Sequence, residues 1–369
     1  MDFTMKRLLL LVFLCLNFSL ASADTLTLKV GGHPDTYVVK KGDTLWDISG
    51  YFLNDPWRWP KLWGNNPLIA NPHLIYPGDR LTLEFIDGQP RLVVKQHIKK
   101  SPEGRVISKN GPIPAVDLAL IKPYLVQNRV VDPRWLDGQP IVMSGESPSI
   151  HHVVNDVVYV NAMLEQGLKV AIYQTGREFF SPESGELLGR EIILASTGRV
   201  IESGTVSKVE LLSSLRETKG GYHVTPVEDE ALMSAYFIPK AADLSVPTSI
   251  IATIGNIREA GKLDVVYIDR GADDGVKTGH VFSMFRDGEN IVIDNDGNPV
   301  RPLDSSTYDK VLAQFSEETA YKMPDVFHGN LMVFKVFDKT SLGLIMFSGR
   351  PVRVGDKLSK PEPLTIKGE

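Results

Sequence analysis

The amino-acid sequence predicts a multidomain protein: a small α+β module with the order strand, helix, helix, strand, then a long mainly-β region built from two tandem β modules. Three observations carry this expectation. Four of the five tryptophans lie between Trp46 and Trp63, in a stretch flanked on both sides by alternating strand patterns. Downstream, short apolar runs such as RLVVKQHI (91–98) are separated by Gly, Pro, Asn and Asp turns rather than by helical periodicity. One strand-and-turn segment also recurs, because DVVYVNAMLEQGLK (156–169) aligns without gaps on DVVYIDRGADDGVK (264–277).

The chain opens with Met5-Lys6-Arg7, the apolar run LLLLVFLCL (8–16) and then Ala21-Ser22-Ala23, a small-x-small cleavage signal. Residues 1–23 therefore read as a secretory signal peptide. The apolar run is well short of the roughly 20 residues that span a bilayer, so no membrane span is expected after cleavage. Cys15, the single cysteine, lies within the removed piece and follows Leu14, where a lipid-attachment site needs a small residue. The mature chain then holds neither a disulfide framework nor a thiol nucleophile. With 369 residues, 43% hydrophobic and 23% charged, it has ordinary globular content for two or three domains. A net charge of -5 and the lack of any Lys/Arg run longer than two argue against nucleic acid as a partner. The expected product is a mildly acidic exported protein of the periplasm or cell envelope.

The first module builds up residue by residue. In YVVKKGDTLWDISGYFL (37–53) an alternating strand turns at Lys41-Gly42-Asp43 and enters a helix with Leu45, Ile48 and Phe52 on one face, capped by Asp43 or Thr44. Asp55-Pro56 breaks the chain. WPKLWGNN (59–66) supplies a second short helix with Pro60 in its first turn, where proline is tolerated. NPHLIYPGDRLTL (71–83) returns through a Pro-Gly turn into a strand.

That order, with YxVxxGDTLWxI at one end and N-x-x-x-I-x-PGxxL at the other, resembles the LysM domain, a module that binds peptidoglycan and chitin. The resemblance covers residues 36–83, within a module drawn at 34–85. It implies a shallow glycan groove formed by Gly42, Asp43, Thr44 and Leu45 on one side and Leu74, Ile75, Tyr76 and Pro77 on the other. It implies peptidoglycan or a chito-oligosaccharide as the ligand. The residues agree with it, since N-acetyl groups need amide donors and acceptors beside a small apolar pocket, and two turns offer both. Thr44 and Leu74 read as loop-surface positions. A module this small buries little area, so Trp46, Trp59 and Trp63 are expected in its core. Trp57 sits between the helices, where the family pattern requires no indole, which leaves glycan stacking open there.

Beyond the module lie a connecting region at 90–149, with a helical pattern in PAVDLALIKPYL (114–125), and β modules at 150–226 and 250–359. A second helical pattern, EDEALMSAYF, falls at 228–237. GREIILASTGRVI (189–201) matches GNLMVFKVFDKTS (329–341) in pattern, and the shared order of segments makes duplication the natural explanation. Two copies suit an interaction scaffold better than a single active site. This longer stretch resembles exported bacterial proteins with one N-terminal LysM and no assigned activity.

There is no GxSxG, SxxK, HxH or HExxH. GNIREAGKL (255–263) has the wrong glycine spacing for a phosphate loop, and DNDGNP (294–299) lacks the ligands of a calcium loop and reads as a hairpin turn. His73 reads as loop surface, and adjacent His151 and His152 point apart on a strand. No cofactor, metal or catalytic residue is expected. The leading reading is a non-catalytic wall-binding protein with the β modules as scaffold. The alternatives are a regulator whose partner is a cell-wall enzyme or another envelope protein, and a hydrolase with a carboxylate site in the β region.

Overall fold

The computed structural model describes residues 26–29, 32, 34–64, 75–95, 114–117, 121, 123–124, 127–227, 237–293, 299–300 and 320–361. The signal segment, Leu74, His73, part of the helical pattern at 114–125 and all but the last residue of the pattern at 228–237 lie outside these residues. Of the former pattern, residues 114–117 are not helical, with bends at 115 and 116, whereas the described residues 121, 123 and 124 are helical.

The N-terminal module has strand β1 (Thr36–Val38), helix α1 (Leu45–Phe52), a 3-10 turn at Pro56–Arg58, helix α2 (Trp59–Trp63) and strand β2 (Arg80–Ile86). Strand β3 (Gln89–Lys95) extends the sheet to the order β1-β2-β3, all antiparallel. Thr44 is the cap of α1: its hydroxyl oxygen accepts the Asp47 N–H at 3.1 Å, and it donates to the Asp47 carboxylate at 2.7 Å. Pro60 stands in the first turn of α2, where the missing N–H costs nothing. Leu45, Ile48, Phe52, Leu62, Ile75 and Leu81 are fully buried, together with Trp46, Trp59 and Trp63.

The rest of the described chain is mostly β. Strand β4 (Asn128–Val131) and helix α3 (Pro133–Asp137) lead into β5 (Val142–Gly145), β6 (Val157–Val160), β7 (Lys169–Phe180), β8 (Leu187–Glu202), β9 (Ser207–Ser214) and β10 (His223–Pro226). Their order in the sheet is β5-β6-β9-β8-β7-β10, with β4 added beside β8. The two ends meet: Val142 N–H donates to Tyr222 O at 2.9 Å, Gly221 N–H to Val142 O at 2.7 Å, and Val224 N–H to Pro140 O at 2.8 Å. Closure leaves no free edge in this six-strand ring. It begins at Val142, upstream of the residue 150 start expected for the first β module.

After β11 (Lys240–Ala241) a second set of strands follows: β12 (Thr248–Thr253), β13 (Val265–Ile268) and β14 (His280–Arg286). A small side sheet of β15 (Asn290–Ile293), β16 (Pro299–Val300) and β17 (Ala320–Lys322) interrupts it before β18 (Val326–Val336), β19 (Ser341–Ser348) and β20 (Lys357–Ser359). Pairing runs β12-β13-β19-β18-β14-β20, and β20 returns to β12, closing a six-strand barrel. Strand for strand this is the circuit of the first ring, so the tandem repeat seen in the sequence is a repeat of topology. The matched β-branched residues show why: Val158 and Val160 point into the first ring as Val266 and Ile268 point into the second. The glycines that close the two turns, Gly167 and Gly275, both have left-handed φ, +86° and +81°.

Every residue of β13 is buried. Its alternate side chains, Val265 and Tyr267, face outward and share one apolar cluster with Leu342, Leu344 and Met346 on β19. The same cluster includes Ala115, Val116 and Ile121 and the tryptophan core of the N-terminal module. The small module is therefore held against the outer wall of the second barrel by continuous apolar burial, the dominant favourable term in folding. Between the rings the contact is both apolar and polar: Phe179 packs its ring on Tyr267 with centroids 4.6 Å apart, Tyr267 donates its hydroxyl to Glu191 Oε1 at 2.7 Å, and Arg177 approaches the other carboxylate oxygen at 3.4 Å.

Candidate functional site

Two loops flank the N-terminal end of α1. The first runs through Lys40, Lys41, Gly42 and Asp43. Asp43 uses its carboxylate to order this turn, accepting Lys40 N–H at 2.8 Å and the Tyr37 hydroxyl at 2.9 Å. Burial, then the adjacent Asp43 carboxylate, pushes the Tyr37 phenol well above its ordinary range, so it stays a neutral donor. The Tyr37 ring stacks on half-exposed Tyr51 with centroids 4.9 Å apart.

The second loop is the turn Tyr76-Pro77-Gly78-Asp79. Pro77 presets φ at one central position, Gly78 takes φ +98° at the other, and Asp79 N–H closes the turn on Tyr76 O at 3.0 Å. Asp79 mirrors Asp43, since its carboxylate accepts Tyr76 N–H at 2.9 Å. Val39 stitches the loops together, donating its N–H to Asp79 O at 2.9 Å and accepting Gly78 N–H at 2.8 Å. The structure thus brings Gly42, Asp43, Thr44 and Leu45 beside Ile75, Tyr76 and Pro77. Leu74 lies outside the described residues.

The residues expected to line the groove differ in exposure. Leu45 and Ile75 are fully buried, while Gly42 is exposed and Asp43, Tyr76 and Pro77 are half-exposed. Thr44 is not the loop-surface position expected from sequence. It is 6% exposed, because the capping geometry turns its hydroxyl inward onto α1. The backbone donors are less available than the two turns suggested: Asp43 N–H reaches Lys40 O at 3.3 Å, Tyr76 N–H goes to Asp79, and Leu45 N–H donates to Pro114 O at 3.1 Å. The involvement of Pro114 has no sequence signal, since its segment reads as a separate helix.

Trp46, Trp59 and Trp63 are 3%, 2% and 1% exposed, which places all three in the core. Trp57 is half-buried against the same cluster, with the Arg58 guanidinium 5.8 Å from its ring centre. Burial lowers the pKa of Arg58, itself only 2% exposed. On the far side of α1 an open cleft of about 450 Å³ lies against the second barrel, with Trp46, Asp47 and Tyr51 facing Lys262, Asn330 and Phe347. Lys262 Nζ sits 3.3 Å from Asp47 Oδ1 across it. Both side chains are well exposed, so this pair contributes little to holding the parts together.

These loops and their burial pattern meet a known family. Residues 37–84 match the LysM domain family, and a LysM domain near the N-terminus supports a general role in binding glycans such as peptidoglycan or chitin. The chain is also 43% identical over 60 residues to the uncharacterized protein YqbP of Bacillus subtilis (strain 168). That match covers 14% of this chain and 27% of the relative's length. No described helix is long and apolar enough to cross a membrane.

Proposed function

We propose that this is an exported, non-catalytic envelope protein that binds N-acetylglucosamine-containing glycan of peptidoglycan through its LysM loops and holds two β barrels there as an interaction scaffold. The observation that carries the reading is the pair of loops at Gly42–Leu45 and Ile75–Pro77, stitched side by side by the backbone of Val39, with Leu45 and Ile75 buried. A saccharide N-acetyl group needs amide groups beside a small apolar surface; the two loops set backbone amides beside Leu45 and Ile75, although several of those amides are paired within the protein. Export rests on the charged start, apolar run and Ala-Ser-Ala ending of residues 1–23.

Incubating the chain that starts at Asp24 with purified sacculi tests the reading. The protein should pellet with the sacculi and leave no soluble sugar fragments behind. Released fragments would replace the scaffold by a hydrolase, and protein left in the supernatant would remove glycan binding altogether.

A further inference from the structure

The Leu45 N–H is the first donor of α1 and has no acceptor within the helix. Thr44, the cap, accepts from Asp47 and leaves that donor unserved. A glycan groove would offer it to the carbonyl of an N-acetyl group. Here it already has a partner, the Pro114 carbonyl at 3.1 Å, brought from a distant part of the chain. The next two residues complete the likeness. Ala115 is fully buried and Val116 is 3% exposed, and both belong to the same apolar cluster as Leu45 and Ile75.

An amide carbonyl followed at once by a methyl-sized apolar group has the chemistry of an acetamido group. Proline at 114 suits this use, because its ring fixes φ and carries no N–H that would need a partner. We propose that residues 114–116 are an internal ligand of the LysM groove, occupying the position of an N-acetyl group and competing with glycan. This rests on the glycan-binding reading and adds a regulatory element to it.

Two consequences follow from competition. The apparent affinity for glycan is reduced by the fraction of molecules whose groove is free. Glycan and strap exclude one another, so each weakens the other by the same factor. Ala115 and Val116 also share their cluster with Val265, Leu342 and Leu344 on the second barrel, so displacing the strap removes apolar contacts between the LysM domain and that wall. Occupancy of the groove is thereby coupled to how firmly the barrel is attached.

The test uses the chain that starts at Asp24 and tetra-N-acetylchitotetraose as the probe. In an Ala115→Asp/Val116→Asp double variant the strap cannot stay in the apolar cluster, and calorimetric titration should show affinity at least about tenfold above the parent. In the unaltered chain, saturating sugar should speed hydrogen exchange at residues 115–117, since the strap leaves as sugar enters. A parent that binds sugar while exchange in this segment stays unchanged or slows overturns the internal ligand and leaves the glycan reading standing. A folded double variant with unchanged or weaker affinity does the same. Should the double variant unfold, the exchange measurement on the unaltered chain decides alone. If the sugar binds neither protein and neither pellets with sacculi, the glycan-binding reading falls and the proposal with it.

Discussion

Replacing Trp63 by alanine separates a structural tryptophan from a sugar platform. The indole is 1% exposed, so the substitution deletes nearly the whole buried area of the side chain, on the order of 200 Å². At about 25 cal/mol per Å² that area amounts to about 5 kcal/mol. An offset applies, because the Trp63 indole N–H is buried with no partner among the described residues. Removing an unsatisfied donor relieves about 1–3 kcal/mol. The net loss should be about 3 kcal/mol, within the usual range for truncating a large core aromatic. A domain this small has little more than that in reserve. Urea unfolding followed by far-UV circular dichroism, with sacculus binding measured on the same samples, reads both effects. The variant should unfold at lower urea, and binding should disappear in step with structure. Trp63→Phe should recover most of the loss. A Trp63→Ala chain with the parent's urea midpoint and no binding would refute the core assignment and make the ring a stacking surface.

Two further outcomes concern the β rings. Tyr267→Phe removes the hydroxyl that donates to Glu191 between the rings and leaves that buried carboxylate with Asn128 and Arg177, so it should cost about 2 kcal/mol in urea unfolding; no loss would mean that the inter-ring network is not stabilising. His223 sits at the seam of the first ring, where burial, then nearby Arg190, lowers its pKa below 6.5, with Asp137 pulling the other way. Between the ordinary and lowered values the unfolded chain binds more protons than the folded one, so stability should fall as pH drops below about 6.5. The urea midpoint at pH 5.5 should lie below that at pH 7.5, and His223→Gln should shrink the difference; an unchanged difference would exclude His223 as its source.

Much of the architecture was legible because local patterns and tertiary burial agree. The GDTLW and YPGD signatures fix turns and caps that form from neighbouring residues, as Asp43 on Lys40 and Asp79 on Tyr76 show. The DVVY repeat was legible because alternate β-branched residues must point inward in both rings. Ring closure was not. The seam near Val142 and His223 uses only a few backbone bonds between residues far apart in sequence, and backbone pairing leaves no trace in side-chain pattern. Nor does a buried strand such as VVYI reveal what covers its outer face, here the cluster shared with the LysM core. At the site, Thr44 looked like a surface position because capping residues and exposed loop residues are drawn from the same polar set. The contact from Pro114 to Leu45 was hidden for a different reason: a carbonyl carries no residue identity.

The most direct measurement is sacculus pelleting of the chain starting at Asp24 beside its Pro77→Arg variant, with circular dichroism confirming that both are folded. Pro77 is half-exposed on the rim of the second loop, so arginine should leave the core intact while placing a long charged side chain over the groove. The parent should pellet and be released by chito-oligosaccharide, and the folded variant should remain in the supernatant. A folded Pro77→Arg chain that pellets as well as the parent, and resists release by the sugar, would contradict glycan binding through these loops.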